Sequence, residues 1–81
     1  MEWSELTQRE QQIARYVARG LTNKEVAQEI LLNLRAVMFH VYRLMEKTGS
    51  KSRDELRLWV TAHDPNRTGL TSTGGKSELE D

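Results

Sequence analysis

Between Asn33 and Arg53 the chain carries five basic residues, Arg35, Arg43, Lys47, Lys51 and Arg53, against one acid, Glu46. Interleaved with them are Leu34, Met38 and Tyr42 at successive i,i+4 steps, with Phe39 alongside. Cations spaced in this way can neutralise phosphate, and apolar side chains beside them can meet thymine methyl groups in a DNA major groove. The same apolar set suits a protein groove that takes one face of a helix. Upstream, Thr22, Asn23 and Lys24 combine a helix N-terminus, with its free backbone N–H groups, and a cation, which together make an anion site. Bond-breaking chemistry has little to work with. His40 and His63 make no metal pair, and Glu25 and Glu29 are i,i+4 neighbours on a solvated face. There is no thiol, no Gly-rich phosphate loop and no Ser–His–acid set. These residues describe a binding module without cofactor, metal or small-molecule substrate, and not an enzyme.

Eighty-one residues make one small domain. A domain of this size buries only about 60% of its unfolded surface, so dimerisation or docking onto a partner would stabilise it. The absence of cysteine excludes a disulfide framework and a zinc–thiolate site, and is compatible with a reducing cytoplasm. No apolar run approaches the roughly 18 residues of a membrane span, and the N-terminal dozen residues are too polar for a signal peptide. A soluble, cytoplasmic protein is expected. The net charge of zero hides a gradient. Residues 1–63 carry ten Lys and Arg against eight Asp and Glu, whereas residues 64–81 carry two against four. A basic patch on a neutral chain is a weaker footprint than that of a strongly basic nucleic-acid binder.

Three capping boxes set out the elements that must position these residues: Thr7–Glu10, Thr22–Glu25 and Ser52–Glu55. The first predicts a helix from about Gln8 to Arg19, stopped by Gly20, with Ile13, Ala14, Val17 and Ala18 inward. The second opens a helix from Asn23 to about Ile30, with Leu21 and Val26 as a hydrophobic staple and Val26, Ala27 and Ile30 inward. Leu31 and Leu32 leave it, and Asn33 caps a third helix that runs to Thr48 and stops at Gly49. In that helix Val37, Val41 and Leu44 make the buried stripe. The fourth covers about Arg53 to Ala62, with Leu56 and either Trp59 or Val60 inward. No segment alternates with period two for long enough to predict a strand. The expectation is an all-α fold of four helices, residues 1–63, with Trp3 covering an edge of the core. Residues 64–81 read as a flexible, mildly acidic Gly/Ser/Thr-rich tail, disordered by composition. Two helices about three residues apart, the second able to enter a major groove, are the geometry of a helix-turn-helix.

With Leu6-Thr7-Gln8-Arg9-Glu10, Gly20-Leu21-Thr22-Asn23-Lys24-Glu25-Val26-Ala27, Val37, His40, Lys47, Gly49 and Ser52-Arg53-Asp54-Glu55-Leu56 in order, the chain resembles the LuxR/GerE-type helix-turn-helix. The resemblance implies a four-helix domain that binds double-stranded DNA and regulates transcription, dimerises through its last helix, and is here the small stand-alone form. It implies that Thr22, Asn23 and Lys24 approach phosphate and that Met38, Phe39 and Tyr42 face base edges. Asn33 stands where the family commonly has Ser, Ala36 where it has Thr, and Met38 where it has Lys, so a hydroxyl and a charge are missing. Arg57, Trp59 and Val60 would form the dimer face, with paired half-sites about one helical turn apart; burial of Trp59 within the monomer is the alternative. Glu10 and Arg53, both in family motifs, are expected to tie the first helix to the last.

A four-helix core is not expected to bury both stripes of the third helix, and three roles compete for the second one. In the leading reading it enters the major groove and reads thymine methyls while Asn33, Arg35, Arg43 and Lys47 hold phosphates, with specificity drawn partly from DNA shape. In the second it docks into a protein, sequestering another transcription regulator or contacting RNA polymerase through Leu34, Met38, Phe39 and Tyr42. In the third the helix is rotated, and part of the stripe is core covered by Trp3 or the tail.

Overall fold

The computed structural model describes residues 1–66. A 3₁₀ turn, Trp3–Glu5, precedes four helices: α1 (Gln8–Ala18), α2 (Asn23–Ile30), α3 (Leu34–Thr48) and α4 (Arg53–His63). No strand occurs among the described residues, and the fold is all-α. The expected tail lies outside the described residues from position 67 onward.

The helix starts follow from side chains that satisfy free backbone N–H groups. At α1 the Glu10 N–H donates to Thr7 Oγ1 (3.1 Å) and the Thr7 N–H to Glu10 Oε1 (3.0 Å). The same reciprocal pair joins Thr22 and Glu25 at α2, at 3.2 and 2.9 Å. Asn33 Oδ1 accepts from the Ala36 N–H at 2.8 Å and opens α3. The third expected box forms only by half. Ser52 Oγ accepts from the Glu55 N–H (3.1 Å), but the Glu55 carboxylate reaches one residue further back, to the Lys51 N–H (2.7 Å).

Three helix ends share one turn. The Leu21, Leu32 and Ser50 N–H groups reach back five residues, to the carbonyls of Tyr16, Ala27 and Met45. Such a turn needs a left-handed residue just before the reaching N–H. Gly20 (φ +91°) and Gly49 (φ +73°) supply it after α1 and α3, whereas Leu31 (φ +57°, ψ +39°) supplies it after α2. A side chain in this region costs about 1–2 kcal/mol, of which glycine gives back part as backbone entropy. Leu31 is 89% exposed, so its side chain contributes no packing to offset that cost. Leu31→Gly is therefore expected to raise the unfolding free energy by about 0.5–1 kcal/mol. A urea midpoint that stays put or falls would contradict the strain at this turn.

The core draws on every helix: Ile13, Ala14 and Val17 of α1, Val26 and Ala27 of α2, Val37, Val41 and Leu44 of α3, and Leu56 and Val60 of α4. Trp3 and Leu6 close one edge. Leu21, ahead of α2, packs against this core, as the staple requires. α1 lies against α4, α3 and α2, while α3 meets the other three helices. Trp3 stacks on Trp59 (ring centroids 6.3 Å apart), which stacks on His63 (4.1 Å). The Arg15 guanidinium lies 5.1 Å from the Trp3 ring and holds both carboxylate oxygens of Asp64, at 3.0 and 3.1 Å. Asp64 is consequently buried and belongs to the packed domain, although composition placed it in the tail.

One expected tie is overturned. Glu10 does not meet Arg53. Its carboxylate receives Lys47 Nζ at 2.8 and 2.7 Å, joining α1 to α3. Arg53 instead donates to Asn23 Oδ1 and to the Leu21 carbonyl, both at 2.7 Å, joining α4 to the start of α2. Both arrangements follow from reach. The long side chains settle on acceptors at neighbouring helix ends, which spacing along the chain does not reveal.

Candidate nucleic-acid interface

Burial of Val37, Val41 and Leu44 fixes the rotation of α3 and turns its opposite face outward. On that face Leu34 is 44% exposed, Met38 52%, Phe39 56% and Tyr42 61%. The third role considered for this stripe is overturned as far as Trp3 is concerned, since Trp3 packs on Trp59 and Arg15 instead; cover by the tail lies outside the described residues. Arg35 and Arg43 share the outward face. The Arg43 guanidinium lies 5.7 Å from the Phe39 ring centroid, and His40 meets the same ring edge-on at 6.0 Å. Phe39 is thus held between two neighbours rather than free to fold away.

The start of α2 supplies the second part of the surface. Thr22 and Lys24 are exposed and Asn23 is half-buried. Arg53 occupies Asn23 Oδ1, which leaves the amide NH₂ of Asn23 as a donor. The Arg53 side chain is drawn partly out of water and sits near Arg57, and both effects lower its pKa from the ordinary guanidinium value. Its role is to hold the two helix ends together while presenting Asn23.

Not every expected contact residue is available in the same way. Lys47 is half-buried with its charge neutralised by Glu10, and the oxygen of Asn33 is occupied by its own helix cap. Among the described residues no acid lies within ion-pair distance of Lys24, Arg35 or Arg43. On α4, Val60 is 1% exposed and sits in the monomer core rather than on the helix's outer side. Trp59 is half-buried between Trp3 and His63, and Arg57 is exposed. Three exposed apolar residues escaped the sequence reading: Met1, Leu31 in the turn, and Leu58, 71% exposed. Helical spacing carried the signal for Leu58, which stands about 200° around the axis from Leu56. Among the described residues no group of three or more His, Cys, Asp or Glu could hold a metal ion, and no helix is long and apolar enough to cross a membrane.

This two-part surface, the start of α2 and the outer face of α3, lies wholly inside a match to the family described as bacterial regulatory proteins, luxR family, over residues 4–60. The chain belongs to this family. The chain is also similar to curated proteins. Response regulator Rre1 of Synechocystis sp. is 41% identical over 59 residues, which is 73% of this chain and 26% of that protein. Nitrate/nitrite response regulator protein NarL of Escherichia coli K12 is 37% identical over 57 residues, 70% of this chain and 26% of its own. The putative HTH-type transcriptional regulator Rv0890c of Mycobacterium tuberculosis is 35% identical over 54 residues, 67% of this chain and 6% of its own. The chain therefore spans about a quarter of the length of the first two. No solved structure matches at a significant level.

Proposed function

We propose that this luxR-family domain regulates transcription by binding double-stranded DNA, with α3 in the major groove and the start of α2 on the phosphate backbone. The observation that carries the reading is the outward turn of α3 together with three cations, Lys24, Arg35 and Arg43, that no acid of the described residues neutralises. The Thr22 hydroxyl and the Asn23 amide NH₂ add donors beside Lys24. Three phosphate contacts per protomer give a log–log dependence of affinity on salt with a slope of about −3, twice that for a dimer. Fluorescence anisotropy on a labelled duplex, titrated from low to moderate salt, tests this. Absence of binding even in dilute buffer contradicts it.

We further propose that the domain acts as a dimer through the exposed side of α4, anchored by Leu58 and Arg57 with Trp59 at the edge. Leu58→Ala is expected to raise the dimer dissociation constant about tenfold, as removal of a buried side chain at a small interface should. Sedimentation at several concentrations reads it, and a monomer at all concentrations for both proteins contradicts the dimer.

The exposure of Leu34, Met38, Phe39 and Tyr42 also favours a second reading, in which α3 docks into a groove of another transcription regulator or of RNA polymerase. Met38→Lys separates the two. It strengthens duplex binding by adding a cation, and it breaks a protein complex built on this face.

A further inference from the structure

Resting on the DNA-binding reading, we infer that α3 selects its sites by the C5-methyl groups of pyrimidines, as carried by thymine and by 5-methylcytosine. The hydrogen-bond code of the major groove is read by Arg, Lys, Asn, Gln and acidic side chains. On the outer face of α3 such groups are scarce or engaged. Asn33 Oδ1 is taken by the Ala36 N–H and Lys47 by Glu10, while Arg35 and Arg43 are the cations assigned above to phosphate. What remains in the middle of the face is Leu34, Met38, Phe39 and Tyr42, each between 44% and 61% exposed. The one apolar marker in a major groove is the methyl group at pyrimidine C5. Burying these side chains against methyl groups removes apolar surface from water on both partners. An unmethylated cytosine presents only a hydrogen at C5, so these side chains bury less apolar surface there than against its 5-methyl form.

Geometry sets the length of the site. Leu34, Met38 and Tyr42 are spaced at about 6 Å per step, so the stripe spans about 12 Å. At 3.4 Å per base step, that covers about four consecutive base pairs. Arg35 and Arg43 on the same face supply the charge that draws the stripe to a polyanion, which a purely apolar groove in a protein would not require.

The test compares duplexes that differ in this methyl group alone. The full chain is titrated with a 20-base-pair alternating A·T duplex and with the same duplex carrying deoxyuridine for thymidine. It is titrated in parallel with an alternating G·C duplex and its 5-methylcytosine form. Loss of the methyl group is expected to weaken binding about tenfold, and methylation of cytosine to strengthen it several-fold, both at an unchanged salt slope. Phe39→Ala and Met38→Ala, substitutions of exposed side chains, should bring both ratios toward one. Equal affinities within each pair, with a steep salt slope retained, overturn the methyl reading and leave DNA binding standing. No binding to any duplex in dilute buffer overturns both.

Discussion

Lys47→Ala is expected to lower the unfolding free energy by about 2–3 kcal/mol at neutral pH. Glu10 is 7% exposed, and both of its carboxylate oxygens receive Lys47 Nζ. Without the lysine, a nearly buried carboxylate keeps only the backbone and side chain of Thr7 as partners. The figure is set below that of a fully buried pair because the Lys47 side chain is 28% exposed, and water can partly replace it. Acidity gives the effect a signature. Burial alone pushes the Glu10 pKa up, but the Lys47 hydrogen bond, the Thr7 backbone and the Lys47 charge outweigh it, and the net shift is downward from 4.5. A depressed carboxyl adds stability that is fully present above about pH 4.5 and is lost as pH falls through the lower folded value. In Lys47→Ala only the upward push of burial and the Thr7 bonds remain, so the penalty is greatest at neutral pH. Urea melts of wild type and variant should differ most at pH 7 and converge at acid pH. Equal midpoints at pH 7 would show that the pair contributes nothing.

The double variant Arg35→Ala/Arg43→Ala should leave the fold within about 0.5 kcal/mol of wild type, since both side chains are surface charges without ion-pair partners among the described residues. Its effect falls on DNA. Removing two phosphate contacts per protomer reduces the magnitude of the salt slope by about 2 and weakens binding about 10- to 100-fold at moderate salt, irrespective of sequence. Such sequence independence separates these residues from Met38 and Phe39, whose removal changes preference more than overall affinity. An unchanged slope would place α3 away from the phosphate backbone.

Much of this was legible in the residues themselves, because it is governed by local chemistry. The caps at Thr7, Thr22 and Asn33 and the glycines at 20 and 49 act within one turn of chain, and the helices begin and end as they dictate. Periodicity placed Val37, Val41 and Leu44 inward and so turned Leu34, Met38 and Tyr42 outward. Contacts between distant parts of the chain were a different matter. Lys47 lies 37 positions from Glu10 and Asp64 lies 49 from Arg15. Nothing in the local pattern tells a lysine which of several acids the fold will bring near. Leu31 was hidden for another reason: its left-handed backbone belongs to a turn normally marked by glycine, and a leucine there gives no local sign. On α4, Val60 and Trp59 competed for one inward position, yet both turn inward, Val60 into the core and Trp59 half-buried against its edge beside Trp3.

The most direct test of the central claim, that the outward face of α3 and the start of α2 together engage DNA, is amide and methyl NMR of the labelled chain titrated with a duplex. Resonances of Thr22, Asn23, Lys24, Arg35, Phe39, Tyr42 and Arg43, and the Met38 methyl, should shift together and saturate, while those of the outer side of α1 stay in place. Shifts confined to α1 and α4, or none on α3 at saturating duplex, would contradict it.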